Sequence, residues 1–134
     1  MLLTCHERTN QEAWYLDTAA SNHMTGKRCL FDSLNKTFKR NISFADGKEV
    51  MVEGISDILI LAKNGSHQFI SQVYYIHVIQ SNILSLGQLL EKGYDIRLKD
   101  GGLTIRDSRD KLLAKVKMSN NRLFSLLLQA DSAN

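Results

Sequence analysis

The sequence predicts an all-β domain, a barrel or a sandwich, with one short helix. Three observations predict it: short apolar segments recur along the chain, turn dipeptides such as Asp-Gly and Asn-Gly separate them, and a single segment has helical periodicity. The length of 134 residues fits one ordinary domain. Hydrophobic residues make up 43% of the chain and charged residues 23%, which supplies a core and argues against disorder.

An acidic residue stands at the end of the first predicted strand. Residues 13–16 are mostly apolar and lead directly to Asp17, and the small polar residues over 18–26 predict a tight loop. Aspartic proteases use this arrangement because two carboxylates about 3 Å apart cannot both ionise and therefore share one proton. The chain has one such segment, so a second copy would supply the second carboxylate across a twofold axis. Taken alone, the triplet Asp-Thr-Ala is better explained by an aspartate that caps a turn.

A hairpin is predicted over residues 42–52. Residues 41–44 and 49–53 alternate between apolar and polar side chains, and Asp46-Gly47 between them is a strong hairpin signal. Alternation or short apolar runs predict further strands over 57–61, 68–78, 94–98, 103–105, 112–118 and 123–128.

The helical segment follows Ser85. Leucines over 86–90 repeat at i, i+3 and i+4, and Ser85 followed three residues later by Gln88 has the form of a capping box. Gly93 fits the C′ position, where a left-handed residue ends a helix. We therefore predict one short helix between Ser85 and Gly93.

Charge gives little indication of a partner. The net charge is +3, and its main local concentration is a basic cluster of Lys27, Arg28, Lys36, Lys39 and Arg40. Few aromatic residues lie among these cations, so we expect a solvated loop and not a single-strand nucleic-acid site. No apolar run approaches the roughly 20 residues that cross a membrane. We expect neither nucleic acid nor a membrane as a partner.

Cysteine and histidine give no indication of a metal site. The two cysteines, Cys5 and Cys29, have a spacing that fits neither metal ligands nor a disulfide framework. We therefore expect reduced thiols in a cytosolic or nuclear protein. His23 has no Cys or His at ligand spacing, so we expect a structural role beside the loop. No metal and no cofactor are expected.

Two ordered motifs resemble those of copia-type LTR retrotransposon proteases, a branch of the retropepsin-like aspartic peptidases. The first is WYLDTAASNHM over residues 14–24, and the second is SNILSLGQLLEKGY over residues 81–94. The resemblance extends over residues 13–128. It implies a homodimeric, retropepsin-like closed β-barrel with a flap hairpin and one short helix.

The resemblance assigns roles to single residues. Asp17 matches the catalytic aspartate, and Thr18 matches the hydroxyl residue that braces the two loops across the dimer. Ala20 and Ser21 match the small residues that follow. Ala19 stands where the family usually has glycine, which permits close approach of the backbone to the carboxylate. Activity therefore depends on whether alanine is tolerated at this position.

Two further elements are assigned in the same way. Leu86 and Gly87 match the apolar element that packs behind the catalytic loop. The hairpin over 42–52 stands where the family has its flap, whose tip here consists of Ala45, Asp46, Gly47 and Lys48.

The resemblance implies an aspartic endopeptidase that cleaves sites in its own Gag-Pol polyprotein, within a cytoplasmic virus-like particle. The protease core is predicted over 13–98, after a flexible segment over 1–12. Residues 99–134 resemble the start of the segment that precedes integrase, and we expect β-hairpins there, either within the barrel or as an extension. The alternative is a catalytically inactive dimeric barrel that serves as a structural or peptide-binding module, and Ala19 is the residue that favours it.

Overall fold

The computed structural model describes residues 12–44, 46–61, 67–120 and 122–130. Within these residues the chain forms eleven strands, one α-helix and one 3-10 helix. The strands are β1 (Glu12–Asp17), β2 (Met24–Thr25), β3 (Arg40–Ser43), β4 (Glu49–Val52), β5 (Gly54–Leu61), β6 (His67–Tyr75), β7 (Asn82–Ser85), β8 (Asp95–Lys99), β9 (Gly102–Arg106), β10 (Leu112–Lys117) and β11 (Phe124–Ala130). The α-helix α1 spans Leu86–Glu91, and the 3-10 helix spans Arg28–Leu30. Neither of these helices is long and apolar enough to cross a membrane.

Six strands form a barrel in the order β1, β11, β5, β6, β2 and β7, and β7 pairs in turn with β1. Most neighbours are antiparallel, whereas β1 with β7 and β2 with β6 are parallel. The shortest strand pairing in the barrel is that of β2 with β7, which consists of the single residue pair Met24 and Ile83. The prediction of a mostly β, barrel-like domain with one short helix is confirmed.

Two smaller sheets accompany the barrel. Strands β8, β9 and β10 form an antiparallel sheet with β9 in the middle, and β3 pairs with β4 as a separate hairpin. Strand β11 returns the chain to the barrel between β1 and β5. Of the predicted flexible segment over 1–12, Glu12 alone lies within the described residues, and it begins β1. The predicted division of the chain at residue 98 stays a prediction.

The main hydrophobic core takes its side chains from the barrel, from α1 and from β9. Its most deeply buried members include Trp14 of β1, Ile58 of β5 and Leu103 of β9. Burying a large apolar side chain stabilises a fold by about 1.5–3 kcal/mol. This core therefore fastens β9, and with it the three-stranded sheet, to the barrel.

A second, smaller core lies under the β3–β4 hairpin. Its buried members are Met24, Val52, Tyr74 and Ile76. The hairpin contributes apolar side chains that pack against this cluster, namely Ile42, Phe44 and Val50. The hairpin thus has one apolar face that is fastened to β2 and β6.

Gly93 ends α1 at the predicted position. It has φ +94°, and its N–H donates to the carbonyl of Leu90 at 3.0 Å. The N–H of Tyr94 donates to the carbonyl of Leu89 at 3.2 Å. These two bonds form a Schellman motif, in which a left-handed C′ residue satisfies the last helical carbonyls.

The sequence did not predict the strands β2 and β7 or the 3-10 helix. β2 has two residues and lies within the segment predicted as a tight loop, and β7 has four residues and directly precedes α1. Segments this short carry too little alternation to be recognised. The strand predicted over 68–78 ends earlier, at Tyr75.

Cys29 forms a disulfide, so the expectation of a reduced thiol is wrong for this residue. The second cysteine of the sequence, Cys5, lies outside the described residues. The cytoplasmic location stays a prediction.

Gly26 follows β2 and lies against the backbone carbonyls of Ile76 and Ile79. A Cβ atom on Gly26 would collide with the Ile79 oxygen, so we expect Gly26→Ala to lower the free energy of unfolding by about 1–3 kcal/mol, the usual cost of overpacking. Gly87 is the control, because a Cβ atom there would meet the Ser85 hydroxyl at an ordinary 3.8 Å. Gly87→Ala should raise the free energy of unfolding by up to about 1 kcal/mol, since alanine favours helix. Chemical denaturation measures both, and equal stability of the two variants would contradict this packing.

Candidate active site

Asp17 is the last residue of β1 and begins the loop that leads to β2. Its Oδ1 accepts the N–H of Ala19 at 2.8 Å. Aspartate commonly binds an N–H two residues on in this way at the start of a turn. Ala19 is not among the residues with positive φ, so its methyl group is accommodated without left-handed backbone strain. The carboxylate is partly exposed and therefore accessible to water.

Strand β7 lies directly beside this loop. β1 and β7 run parallel, and Asp17 lies opposite Ser85, which ends β7 and is the N-cap of α1. The Ser85 hydroxyl donates to the carbonyl of Ala20 at 2.7 Å and accepts the N–H of Gln88 at 3.0 Å. One side chain therefore caps the helix and holds the loop.

His23 lies later in the loop and is buried, with 1% of its surface exposed. Its Nδ1 accepts the N–H of Ser85 at 2.9 Å, so the ring proton is assigned to Nε2. Its own N–H donates to Oε1 of Gln88 at 2.9 Å. Its carbonyl accepts the N–H of Tyr74 in β6 at 2.9 Å. Strands β6 and β7 and helix α1 thus all hold this one residue.

Burial lowers the pKa of His23 from the ordinary 6.5 to about 4, and the positive charge of Lys92 acts in the same direction. The imidazole is therefore neutral at pH 7, which agrees with Nδ1 acting as a hydrogen-bond acceptor. This position agrees with the structural role beside the loop that the sequence suggested.

Gln88 lies in α1, is buried, and uses both ends of its side-chain amide. Oε1 accepts the N–H of His23 and, at 3.4 Å, Nδ2 of Asn22. Nε2 donates to the carbonyls of Ser71 and Gln72 in β6 at 2.9 and 3.2 Å. This side chain therefore connects the loop to β6 as well as to the helix.

The Gln88 amide meets β6 at a β-bulge. The register between β5 and β6 shifts between Ser56 and Ile58, and Gln72 has φ +57°, which is uncommon for a residue other than glycine. The N–H of Gln72 donates to Oδ1 of Asp57 at 2.9 Å. Because a bulge interrupts the ladder of hydrogen bonds, carbonyls at this point of β6 can accept the Gln88 amide.

The predicted capping box is only half present. Ser85 accepts the N–H of Gln88 as predicted, but the Gln88 side chain does not bind back to the N–H of Ser85. That N–H donates to His23, so a residue of the loop completes the cap. The N–H groups of Ser85 and Gln88 are therefore both satisfied, one by His23 and the other by the Ser85 hydroxyl. The Gln88 side chain is not needed for the cap and binds the loop and β6 instead.

The far end of the loop is held by a second polar pair. The Thr25 hydroxyl donates to Oδ1 of Asn82 at 2.6 Å, and both side chains are buried. Thr25 Oγ1 also accepts the N–H of Lys27 at 3.1 Å, while Nδ2 of Asn82 donates to the carbonyl of Ala13 at 3.1 Å. Both ends of the segment between β1 and β2 are therefore fixed to β7.

The predicted hairpin is present as β3 and β4. At its turn Gly47 has φ +86°, and the N–H of Lys48 donates to Oδ1 of Asp46 at 3.0 Å. Ala45, which was assigned to the same tip, lies outside the described residues. The action of this hairpin as a flap stays a prediction.

Tyr74 connects the hairpin to the loop. Its hydroxyl accepts Nη1 of Arg40, the first residue of β3, at 3.1 Å, and its ring packs against Phe38 with centroids 5.6 Å apart. Its N–H is the group that binds the carbonyl of His23. The base of the hairpin and the Asp17 loop therefore share one buried neighbour.

The predicted site residues differ in their surroundings. Asp17, Ala19, Ala20 and Ser21 form hydrogen bonds within the loop or to Ser85, and Thr18, Ala19 and Ser21 are exposed. Leu86 and Gly87, which were predicted to lie behind the loop, are the first two residues of α1, and Leu86 is buried in the main core. Sequence reasoning did not find that Ser85 and Gln88 bind the loop, because no local signal links a helix cap to a segment so distant in the chain. Within the described residues no group of three His, Cys, Asp or Glu side chains could hold a metal ion.

These features define a class of protein, a barrel-like β domain with an aspartate on a braced loop at the end of its first strand. The family model described as Pol polyprotein, beta-barrel domain, matches residues 14–94, which is more than half of the chain. The chain belongs to this family, and thus to the Pol region of a retrotransposon or retroviral polyprotein. A comparison with curated protein sequences found no match.

Protonation of His23 should destabilise the fold. The folded protein keeps His23 neutral down to about pH 4, whereas the unfolded chain takes up a proton near 6.5. The stability that this residue contributes is therefore complete above about pH 6.5 and is lost as the pH falls towards 4. A pKa difference of about 2.5 corresponds to about 3 kcal/mol. Urea denaturation at several pH values measures this loss.

The variant His23→Asn is the comparison for this measurement. Asparagine cannot titrate, so its free energy of unfolding should depend less on pH between about 6.5 and 4.5, above the ordinary range of carboxylates. His77→Asn serves as the matched control at an exposed histidine that contacts Glu53. Identical pH dependence in the wild type and His23→Asn would show that His23 is not the group responsible.

Proposed function

We propose that this chain is the aspartic endopeptidase of an LTR retrotransposon of the copia type, and that it cleaves its own Gag-Pol polyprotein as a homodimer. The observation that carries the proposal is the position of Asp17, on a loop of small residues that ends β1 and is bound by β7. Membership of a Pol polyprotein family supports the same conclusion.

The proposed reaction uses one Asp17 from each of two chains. One carboxylate is ionised and takes a proton from water as the water attacks the peptide carbonyl; the other is protonated and donates a hydrogen bond to that carbonyl. Neither a covalent intermediate nor a metal ion is needed for these steps. The described chain supplies one carboxylate on this loop, so a twofold axis beside Asp17 would complete the pair.

Ala19 is compatible with this role. Glycine at this position permits close approach of the backbone to the carboxylate, and Ala19 makes the same approach, since its N–H donates to Oδ1 of Asp17 at 2.8 Å. Its backbone is outside the left-handed region in which alanine would be strained. Because Ala19 is exposed, its methyl group faces space that a partner chain or a substrate could fill.

The β3–β4 hairpin is proposed to close over a bound peptide. Its apolar side packs on the second core, and Arg40 anchors its base to Tyr74. A peptide held in extended form by such a hairpin would pair through its backbone and place alternate side chains in pockets. Closure would exclude water and so strengthen the polar interactions at the carboxylates.

The alternative function is a catalytically inactive barrel that binds peptides or supports assembly. The exchange of glycine for alanine at Ala19 is the observation that favours it. An inactive barrel would bind peptides at the same surface but would not cleave them. Cleavage that depends on Asp17 therefore distinguishes the protease from this alternative.

Asp17→Asn should abolish peptide cleavage. Asparagine preserves the size of the side chain but cannot act as a general base, a role that contributes at least about 100-fold to rate. The measurement is cleavage of a peptide library between about pH 4 and 7, a range that includes the raised pKa of a carboxylate pair sharing one proton. Asp32→Asn is the matched control at an exposed aspartate outside the loop, and it should cleave at the wild-type rate. Equal activity of Asp17→Asn and the wild type would exclude Asp17 as the catalytic group.

A mixing experiment tests whether the site is shared. When an equal amount of Asp17→Asn chain is allowed to exchange with the wild type, random pairing should lower cleavage per wild-type chain to about half, because mixed dimers lack one carboxylate. Addition of Asp32→Asn chain should instead raise the total rate about twofold, because every dimer then stays active. A rate that Asp17→Asn leaves unchanged would mean that each chain acts alone, and the dimer proposal would be wrong.

A further inference from the structure

We propose that His23 and Gln88 are positioning residues that hold the Asp17 loop in place, and that protonation of His23 releases this loop. The inference rests on the proposed function, because it assigns a means of control to the same site. Neither residue touches the carboxylate of Asp17. Both act through Ser85 and the backbone of the loop.

Gln88, in α1, joins the helix to the loop and to β6 through a side-chain amide whose hydrogen-bonding groups are all used. Its Oε1 accepts two bonds from the loop and its Nε2 donates two bonds to β6, so each oxygen lone pair and each amide hydrogen is used. The helix that carries Gln88 starts at Ser85, which lies opposite Asp17. A shift of this junction would therefore move the backbone that supports the carboxylate.

His23 can accept the hydrogen bond from Ser85 only when its imidazole is neutral. The lone pair of Nδ1 accepts the N–H of Ser85, and a proton on Nδ1 would place two donors against each other. The charged ring would also be buried, which is costly without a compensating partner. Protonation thus removes one bond and adds one repulsive contact at the point where β7 meets the loop.

The charged groups near His23 do not offset this effect. The titratable groups close to its contacts are Asp17 at the end of β1, Tyr74 and Tyr75 at the end of β6, and Glu91 and Lys92 at the end of α1. Of these, Lys92 is the group whose charge acts on the imidazole, and it is positive. In the described part of the chain no carboxylate forms a hydrogen bond with the ring.

The loop can respond without disruption of the barrel. Ser85 holds the Ala20 carbonyl through its hydroxyl and His23 through its N–H, so the loop has two attachments at one residue. The other end is held independently by Thr25 and Asn82. Loss of the His23 bond therefore removes one of the two attachments to Ser85, the residue opposite Asp17, while the bonds of Ala20 and Thr25 remain.

Amide hydrogen exchange tests the release directly and does not depend on catalysis. In the wild type, protection of the His23 and Ser85 amides, corrected for intrinsic exchange, should fall by up to about 50-fold between pH 7 and 4.5 if opening exposes His23. The protection of amides in β5 and β9 should fall with the stability of the whole fold but remain far higher than that of these two at every pH, because the loop opens without unfolding of the barrel. In His23→Asn the loss should be absent, because the asparagine Oδ1 can take the place of Nδ1 as an acceptor and does not titrate.

Three results would overturn the proposal. They are unchanged protection of the two amides in the wild type, an equal loss in His23→Asn, and protection of the two amides equal to that of β5 and β9, which would be global unfolding. His77→Asn is the matched control and should behave as the wild type. Should His23→Asn fail to fold, the loss of Ser85 protection in the wild type must level off at the midpoint of the folded-state His23 imidazole titration, followed by NMR.

Gln88→Glu tests the second positioning residue in the enzyme assay. Glutamate keeps an acceptor for the His23 N–H but cannot donate to the carbonyls of β6 when ionised. We expect kcat to fall about 10-fold or more with KM nearly unchanged, because Gln88 acts on the carboxylate position and not on substrate binding. Gln80→Glu, at an exposed glutamine, is the control and should match the wild type.

The two proposals can fail separately. If the wild type cleaves no peptide, the proposed function fails, and the exchange experiment still decides whether His23 controls the loop. If cleavage depends on Asp17 but Gln88→Glu has wild-type kcat, the protease stands and the assignment of Gln88 is wrong.

Discussion

Parallel pairing between β1 and β7 places Asp17 opposite Ser85, and the bonds of Ser85 to Ala20 and His23 depend on this register. Parallel neighbours cannot be joined by a tight turn and need a long connection. Here that connection contains β2, the β3–β4 hairpin, β5 and β6. The middle of the chain must therefore be folded before the carboxylate acquires its surroundings, and the site is a property of the whole barrel.

Buried polar side chains give the loop a single arrangement. Five of them lie in or beside the loop, His23, Thr25, Asn82, Ser85 and Gln88. Within the described residues no buried side-chain nitrogen or oxygen lacks a partner. Leaving one such group unpaired costs about 1–3 kcal/mol, which is a large part of the stability of a small domain. Alternative loop conformations would break several of these bonds together and are disfavoured for that reason.

The hairpin and the loop are joined through β6. Tyr74 binds Arg40 with its hydroxyl and His23 with its N–H, while Gln88 reaches the same strand at the bulge. β6 therefore links the element proposed to cover a peptide with the element proposed to cut it. A movement of the hairpin would reach the loop through packed and hydrogen-bonded neighbours, without a separate hinge.

Three local features were predictable from residue order: the acidic strand end at Asp17, the hairpin turn at Gly47, and the helix that runs from its cap at Ser85 to Gly93. Each depends on neighbours a few residues away, so residue type and spacing suffice to predict it. Contacts between distant segments account for β2 and β7, and for the binding of Gln88 to the loop and β6 where a capping box was predicted. The physical reason is that these strands and bonds are formed with distant partners, and a two- or four-residue segment has no periodicity from which such partners can be read.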